Sequence, residues 1–374
     1  MKTLKDLSLD NKTVVLRCDY NVPVKNGVIT DVSRIEKSLK TISYLLEHNC
    51  KIVILSHFGR IKSEEDKKEN SLRIVAQELS ELLNKKIIFV DQCFGEKVRE
   101  IVKSTNLKDV ILLENTRFMD YPEKLESSND VNLAKFWASL GDVFVLDAFG
   151  TCHREHASVA GIANYLPSGI GYLVEEELKN LDCLVNVKER PFTIFMGGAK
   201  VEDKLPIIKS LLPKCDYLLL GGGIANSFLK ANGVDVKKSL ATTDIDLLND
   251  IKYLISNYSD KICLPVDFVY NDEAIMDVGV KTIQNFSKIF SNSKLIFVNG
   301  TPGKFEDERF FKGTFELIKA LSNINTKIVL GGGDTINAVK KCGLSGHFTF
   351  ESSGGGATLE YIASGKLKAL KYFK

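Results

Sequence analysis

The sequence predicts an α/β protein with two doubly wound (Rossmann-like) parallel-sheet domains facing a cleft and joined by an interdomain helix. Three observations carry that expectation. Short β-branched runs alternate with amphipathic stretches of helical length, the pattern of βαβ units and parallel sheets. The runs are nearly continuous in apolar residues, as strands covered on both faces are. They also fall into two sets of about five, divided by a stretch at 175–188. There Leu178, Leu181, Leu184 and Val185 form a stripe at helical spacing, which Pro191 stops.

In order, strands are expected at 13–17, 51–55, 86–90, 109–113 and 142–146, then at 192–195, 217–220, 261–265, 294–298 and 327–330. Helices are expected at 33–47, 71–83, 203–212, 244–257 and 310–321. The segments 62–70 and 127–130 are charged or polar without periodicity and read as surface loops. The resulting division is a first domain over 1–174, the interdomain helix over 175–190, a second domain over 191–356 and a C-terminal segment over 357–374.

Composition narrows the class. A chain of 374 residues predicts about two or three domains. Its net charge of +2, with lysines interspersed among acids, argues against a polynucleotide partner. The N-terminal Met1-Lys2-Thr3-Leu4-Lys5-Asp6 lacks the apolar core of a signal peptide, and no run reaches the roughly 18 apolar residues of a membrane span. Eight cysteines stand singly with no C-x-x-C pair, which reads as free buried thiols in a reducing cytoplasm.

Anion-handling groups are divided between the halves. Clusters of neighbouring glycines occur only in the second half, at 197–198, 221–223, 331–333 and 354–356, whereas seven of nine arginines and four of five histidines lie in the first. Glycine clusters after strands let backbone N–H groups approach phosphates. Arginine and histidine hold anions through directed side-chain bonds. Two phosphorylated ligands are therefore expected, one per domain. The polar motifs follow strands, so they collect at carboxyl ends, where open α/β sheets bind ligands.

In the first domain the motifs are Arg17-x-Asp19-x-Asn21-Val-Pro23, Asp31-x-x-Arg34, Ser56-His57-Phe58-Gly59-Arg60, Glu114-Asn115-x-Arg117-Phe118 and Asp147-Ala-Phe-Gly150-Thr151-Cys-His153-Arg154-Glu-His156. Each arginine alone reads as a surface ion pair; as a set at strand ends, Arg34, Arg60, Arg117 and Arg154 with His57 read as an anion site. Arg17 and Asp19 either brace one another or contact ligand. His153 and His156 have a metal-ligand spacing without an acidic or Cys partner nearby, so no metal is expected there. Trp137 reads as a core or partly exposed helix residue.

In the second domain, Gly197-Gly-Ala-Lys200-Val-Glu-Asp203-Lys204 places two lysines four apart at a strand-to-helix turn, where a helical first turn would put them on one face. Such a pair is ordinarily a solvated lysine face, less so after Gly-Gly. Gly331-Gly332-Gly333-Asp334-Thr335 ends a strand and opens a helix whose N–H groups would cradle phosphate, with Asp334 as Mg²⁺ ligand or N-cap. Gly354-Gly355-Gly356-Ala-Thr358 repeats the device. The dinucleotide fingerprint is missing, because Asn226 and Ile336 stand where its third glycine would, and Gly303-Lys304-Phe305 is no P-loop. A NAD-dependent dehydrogenase is disfavoured on that ground.

From about residue 3 to about residue 366 these motifs, in this order, resemble phosphoglycerate kinase. The most specific stretches are Arg17-Cys-Asp-Tyr-Asn-Val-Pro23, Leu113-Glu-Asn-Thr-Arg-Phe118, residues 147–156, Gly197–Lys204, Gly221-Gly-Gly-Ile-Ala-Asn-Ser-Phe228, Leu264-Pro-Val-Asp-Phe268 and Gly331–Thr335. The resemblance implies two lobes that close during turnover, a C-terminus that returns to the N-terminal lobe, and a monomer. It implies reversible phosphoryl transfer between 1,3-bisphosphoglycerate with MgADP and 3-phosphoglycerate with MgATP. Substrate would be held by Asp19, Asn21, Arg34, His57, Phe58, Gly59, Arg60, Arg117 and Arg154. Nucleotide would be held by Lys200, Lys204, Gly279, Asn299, Glu306, Gly332, Gly333, Asp334 and Thr335, with Asp334 on the Mg²⁺ side. Arg34, Lys204, Gly354 and Gly355 would serve the transferred group.

The departures lie on the nucleotide side. Val298-Asn-Gly-Thr-Pro-Gly-Lys-Phe-Glu306 replaces the family's Trp-Asn-Gly-Pro-x-Gly-x-Phe-Glu, and the chain is short between Phe268 and Asp277. Val278-Gly279-Val280-Lys281 replaces a Gly-Pro, Ser353 replaces a threonine, and the tail is short without its Pro-Gly. They leave purine preference open and motivate one alternative, a paralogue that binds phosphoglycerate as a non-catalytic module.

Overall fold

The computed structural model describes residues 1–374 and divides them into two units, one of 1–179 with 366–374 and one of 180–365. The first unit contains β1 (Thr13–Cys18), β2 (Val24–Lys25), β3 (Val28–Ile29), α1 (Ser33–Glu47), β4 (Lys51–Leu55), α2 (Glu64–Glu69), α3 (Arg73–Leu83), β5 (Ile87–Val90), α4 (Glu96–Ser104), β6 (Val110–Leu113), α5 (Val131–Ala138), β7 (Val143–Asp147) and β8 (Ser168–Ile170). Helix α6 (Tyr172–Val185) runs through the point in the chain where the units divide. The second unit follows with β9 (Phe192–Met196), α7 (Leu205–Leu211), β10 (Tyr217–Leu220), α8 (Gly222–Ala231), α9 (Ile245–Asn257), β11 (Ile262–Cys263), β12 (Phe268–Asn271), β13 (Ala274–Val278), α10 (Val280–Asn292), β14 (Leu295–Asn299), α11 (Lys312–Ser322), β15 (Lys327–Gly331), α12 (Gly333–Lys341), β16 (Phe350–Ser352) and α13 (Gly356–Ser364).

Each unit is built on a six-stranded sheet, in the order β5-β6-β4-β1-β7-β8 and β11-β10-β9-β14-β15-β16, and every pairing is parallel. Counted within its own sheet, the second reads 3-2-1-4-5-6, a doubly wound order that reverses between β9 and β14. The first reverses between β1 and β7. Central strands such as β6, β7 and β9 are buried at every position because helices cover both faces, which is why their sequences do not alternate.

The first core packs Ile35, Ile42 and Leu45 of α1 and Val75 and Leu79 of α3 onto β1 and β4. The second packs Phe286 and Phe290 of α10, Leu317 and Leu321 of α11 and Val339 of α12 onto β14 and β15. Trp137 is fully buried, its indole N–H donating to the Cys93 carbonyl at 2.6 Å. All eight cysteines are free; five are buried and Cys183, Cys263 and Cys342 are partly exposed. No helix is long and apolar enough to cross a membrane.

The C-terminal residues 366–374 complete the first unit. There Ala369 N–H donates to the Cys152 carbonyl at 3.0 Å, Tyr372 Oη donates to Glu155 at 2.7 Å, and Phe373 lies buried against Phe144. Residues 357–365 belong to the second unit, mostly as α13, so the returning segment begins later than the expected 357.

The structure corrects three expectations about elements. Each sheet has six strands rather than five. The expected loop at 62–70 contains α2, which Ser63 opens by accepting from Asp66 N–H at 3.3 Å while the Asp66 carboxylate accepts from Ser63 N–H at 3.0 Å. The strand expected at 261–265 shortens to two residues at the sheet edge, next to a proline that cannot donate to the ladder.

Candidate functional site

In the first unit, the carboxyl ends of β1, β4, β6 and β7 gather most of the expected anion-binding residues. Asp19, just past β1, accepts from Arg34 Nη1 at 2.7 Å across the first turn of α1. Its other oxygen accepts from Asn21 N–H at 3.2 Å and lies 3.9 Å from His57 Nδ1. Asn21 Oδ1 in turn accepts from Gly59 N–H at 2.9 Å, and Arg117 Nη1 donates to the Gly59 carbonyl. Gly59 has φ +61°, and a Cβ there would lie 1.9 Å from Asn70 Oδ1. Asn115, fully buried, fixes the same loop: its Oδ1 accepts from Phe58 N–H at 3.1 Å and Arg117 N–H at 3.0 Å, and its Nδ2 donates to the Phe58 carbonyl at 2.6 Å.

Burial alone would raise the Asp19 carboxyl, but the Arg34 and Arg17 guanidinium groups and the Asn21 N–H hold it below its ordinary value. Burial drives the His57 imidazole well below its ordinary value, and Arg17, Arg117 and Arg34 push the same way against Asp19. His156 is driven down to about 3 by burial and then by Arg17, Arg154 and Arg117. The floor of this site is therefore neutral imidazole beneath guanidinium groups. Arg17 and Asp19 make no direct hydrogen bond: Arg17 is wholly buried and turns to Ser158, Cys18 and His57. Arg60 and Arg154 are exposed, and Arg154 Nε donates to His153 Nε2 at 3.0 Å.

Arg154 also lines an open hollow of about 500 Å³ with His153, His156, Asn129 and Lys368. A hollow of similar size, about 530 Å³, lies at the other end of the sheet, beside Thr13, Lys51 and Asp142 where strands begin. Volume alone does not mark the site; the convergence of polar groups at the carboxyl ends does.

In the second unit, the reversal between β9 and β14 brings Gly197 against Gly300 and Thr301, with Gly197 N–H donating to the Asn299 carbonyl at 2.8 Å. No Cβ fits at Gly197, where it would sit 2.1 Å from the Thr301 carbonyl oxygen. Asn299, the buried last residue of β14, joins three segments. Its Oδ1 accepts from Lys204 Nζ at 2.9 Å and its Nδ2 donates to the Gly331 carbonyl at 2.9 Å. Thr335 Oγ1 donates to the same carbonyl at 2.7 Å and accepts from Gly300 N–H at 2.6 Å. Burial pulls the Lys204 ammonium below its ordinary value, against Asp334 and Asp203.

Gly332 (φ +91°) begins α12 and Gly355 (φ +54°) begins α13, leaving the first-turn N–H groups of two helices on neighbouring strands open to a ligand. Gly354 is buried behind Gly355, its N–H donating to Ser352 Oγ at 3.3 Å. Gly333 and Asp334 are exposed on the first turn of α12. The cap is Gly332, so Asp334 is not an N-cap; its carboxylate is left to face solvent or ligand. Lys200 and Lys204 do not share a helical face either, because α7 starts only at Leu205 and Lys200 lies in the exposed turn before it. Gly279 opens α10 against the Asp267 carboxylate, and Glu306 is exposed in a turn; neither is bonded to the Asn299 node.

Two residues of the first site carry no signal in the sequence: Glu126 lies just before the polar stretch 127–130, and Ser158 two positions past the His156 motif. Only their burial marks them.

Two sheets, each with its polar groups collected at the strand reversal, one lined by guanidinium and imidazole and the other by helix N-termini and a lysine, make a phosphate-handling α/β enzyme. Comparison with known proteins specifies which. The family model described as phosphoglycerate kinase matches residues 4–366. The phosphoglycerate kinase of Macrococcus caseolyticus is 43% identical over 99% of this chain and 98% of its own length. That of Lactobacillus acidophilus is 44% identical over 96% of this chain and 95% of its own. The solved phosphoglycerate kinase of Pyrococcus horikoshii superposes with a TM-score of 0.88 at 32% identity, covering 100% of this chain and 98% of that one. The Coxiella burnetii enzyme gives 0.84 at 35% identity, covering 99% and 98%. The chain belongs to the phosphoglycerate kinase family.

Proposed function

We propose that this chain catalyses reversible phosphoryl transfer between 1,3-bisphosphoglycerate with MgADP and 3-phosphoglycerate with MgATP. One observation carries the reading: each unit gathers polar groups at its strand reversal, guanidinium and imidazole in the first, helix N-termini and a lysine in the second. Asp19, Asn21, Arg34, His57, Phe58, Gly59, Arg60, Arg117 and Arg154 receive the phosphoglycerate. Charge comes from the arginines, and acceptor and donor groups from Asp19, Asn21 and His57. Lys200, Lys204, Gly279, Asn299, Glu306, Gly332, Gly333, Asp334 and Thr335 receive the nucleotide.

In the ATP-consuming direction the nucleophile is a carboxylate, ionised at neutral pH, so no base is required. Rate enhancement then rests on in-line positioning and on neutralising charge over the equatorial oxygens. Arg34 and Lys204, with the amide of Gly355, supply that neutralisation, and Gly354, its own N–H bonded to Ser352 Oγ, shapes the turn that presents it. A single exposed carboxylate, Asp334, beside open helix-terminal amides suits a magnesium ion that arrives on the nucleotide phosphates, since Mg²⁺ takes one or two carboxylates and completes its shell from phosphate and water. The acyl phosphate must be shielded from water, so closure of the two units during turnover belongs to the reading. A cytoplasmic monomer is the form we assign.

Calorimetry tests the reading. Separate, saturable binding of 3-phosphoglycerate and of MgADP is the expected result, with GDP compared against ADP to fix purine preference. Binding of phosphoglycerate with no detectable MgADP or MgATP binding would support the non-catalytic alternative instead, which the comparisons do not favour.

A further inference from the structure

We infer that Glu126, acting through Ser158 and Arg17, holds His57 as the neutral tautomer protonated at Nε2, so that the imidazole meets its ligand as a hydrogen-bond donor and not as a cation. Glu126 is thereby a positioning residue of the first unit's site. The functional half of this inference rests on the reading of that site as the phosphoglycerate site.

The direction of each hydrogen bond fixes the next. Glu126 is fully buried, and its carboxylate accepts from Ser158 N–H at 3.0 Å and from the Ser158 hydroxyl. With its proton committed to Glu126, Ser158 Oγ has only lone pairs to offer Arg17, whose Nε donates to it at 2.7 Å. Arg17 is also fully buried; Nη1 donates to the Cys18 carbonyl and Nη2 lies 3.3 Å from His57 Nδ1. A guanidinium only donates, so Nδ1 must accept. The ring proton then sits on Nε2, the nitrogen left for ligand.

The surroundings exclude the other two forms. An Nδ1–H tautomer would point its proton at the Arg17 guanidinium. An imidazolium would need Asp19 as partner, but that carboxylate is bonded to Arg34 and to Asn21 N–H and stands 3.9 Å away. The charged groups facing His57 are Asp19 and Arg17 at the end of β1, Arg34 on α1 and Arg117 after β6, three cations against one anion. Glu126 supplies buried Arg17 with a counter-charge that Asp19, paired with Arg34, provides only in part. His156 Nδ1 lies 3.9 Å from Glu126, beyond hydrogen-bond reach, so the carboxylate serves Ser158.

A ¹⁵N-edited imidazole spectrum of the wild-type protein decides the tautomer before any variant is made, the His57 signal being identified by its loss in His57→Gln. The expected pattern is protonated Nε2 and bare Nδ1, unmoved between about pH 5.5 and pH 8. A protonated Nδ1 or an imidazolium in that range overturns the inference. In Glu126→Gln, the amide offers one oxygen to two Ser158 donors, and in Ser158→Ala the relay hydroxyl is gone. Both should show mixed tautomers or a His57 titration, and a KM for 3-phosphoglycerate raised by about tenfold, the loss of roughly one charge-assisted hydrogen bond. KM for MgATP should stay within about twofold. If both variants keep the wild-type pattern, Glu126 has no positioning role. A purely structural defect would raise both KM values without changing the tautomer, and would also overturn the inference. If the tautomer changes and neither KM moves, the assignment of this site to phosphoglycerate fails while the relay stands.

Discussion

Arg34 and Lys204 share a feature: each side chain is held by one neutralising or polar partner and keeps donors to spare. Arg34 spends Nη1 on Asp19, and Lys204 spends one ammonium proton on Asn299 Oδ1. Removing a preorganised donor aimed at developing charge costs about 10²–10³ in kcat. Arg34→Ala and Lys204→Ala should each fall by that order in a coupled assay with 3-phosphoglycerate and MgATP. Arg34→Lys should recover only part of the loss, because an ammonium keeps the charge and abandons the planar fork. Full activity in both alanine variants would remove these residues from the proposed mechanism.

At the scale of elements, the helix starts after β15 and β16 depend on glycine in different ways. Gly332 has φ +91°, and a Cβ there would meet Asn299 Nδ2 at 2.7 Å, whereas Gly355 has φ +54° with open space around it. Alanine at Gly355 should cost only backbone strain, about 1–3 kcal/mol. Alanine at Gly332 adds displacement of Asn299, and with it the partner of Lys204. We therefore expect Gly332→Ala to raise KM for MgATP by about tenfold or more while leaving KM for 3-phosphoglycerate unchanged. Gly355→Ala should show the smaller effect on nucleotide KM, and steady-state kinetics on both variants gives the comparison.

How much of this was legible in the sequence depends on where the information sits. The helix Ser33–Glu47 and the strands Lys51–Leu55 and Tyr217–Leu220 are found where expected, because a long apolar period or a fully apolar run has one reading. Ser168–Ile170 and Phe350–Ser352 were not readable as strands: three residues containing glycine, serine or glutamate become sheet only by pairing with β7 and β15. The helix Glu64–Glu69 has no apolar face to announce it, and its signal lies in the Ser63–Asp66 box. For the sites, strand-end position singled out Asp19, His57, Asn299 and Thr335 as ligand-binding candidates, and the fold joins them into bonded clusters. Which atom faces which neighbour was not available from order alone, so the Arg17–Asp19 brace and the shared lysine face did not survive.

Across the whole molecule, buried titratable groups set opposing pH slopes. Burial pushes the Asp147 carboxyl, whose Oδ1 accepts from Leu173 N–H at 2.9 Å at the start of α6, up to about 6. In the unfolded chain the same group loses its proton near pH 4. The folded state thus binds more protons between about pH 4 and pH 6, and the stability this gives is complete below about pH 4 and lost as pH rises through about 6. His57 and His156 act in the reverse sense: depressed in the fold, they contribute stability above about pH 6.5 that disappears as pH falls. The two trends mask one another in the wild type. Asp147→Asn separates them, and its stability relative to wild type should rise by about 3 kcal/mol, two pH units' worth, between about pH 4 and pH 8. Urea unfolding at both pH values, followed through a probe in the first unit, measures it; a difference independent of pH would mean that Asp147 is ionised throughout.

The second unit is spliced into the first, since the closing residues 366–374 lie with 1–179. During synthesis a ribosome must therefore deliver every residue of the inserted body before its host acquires Leu370 and Phe373, both buried. Until then Cys152 lacks the Ala369 N–H that its carbonyl accepts, and Phe144 lacks the ring of Phe373. Removing residues 366–374 would strip Leu370 and Phe373 from the core of the unit that begins the chain, and would take no residue from the unit of 180–365.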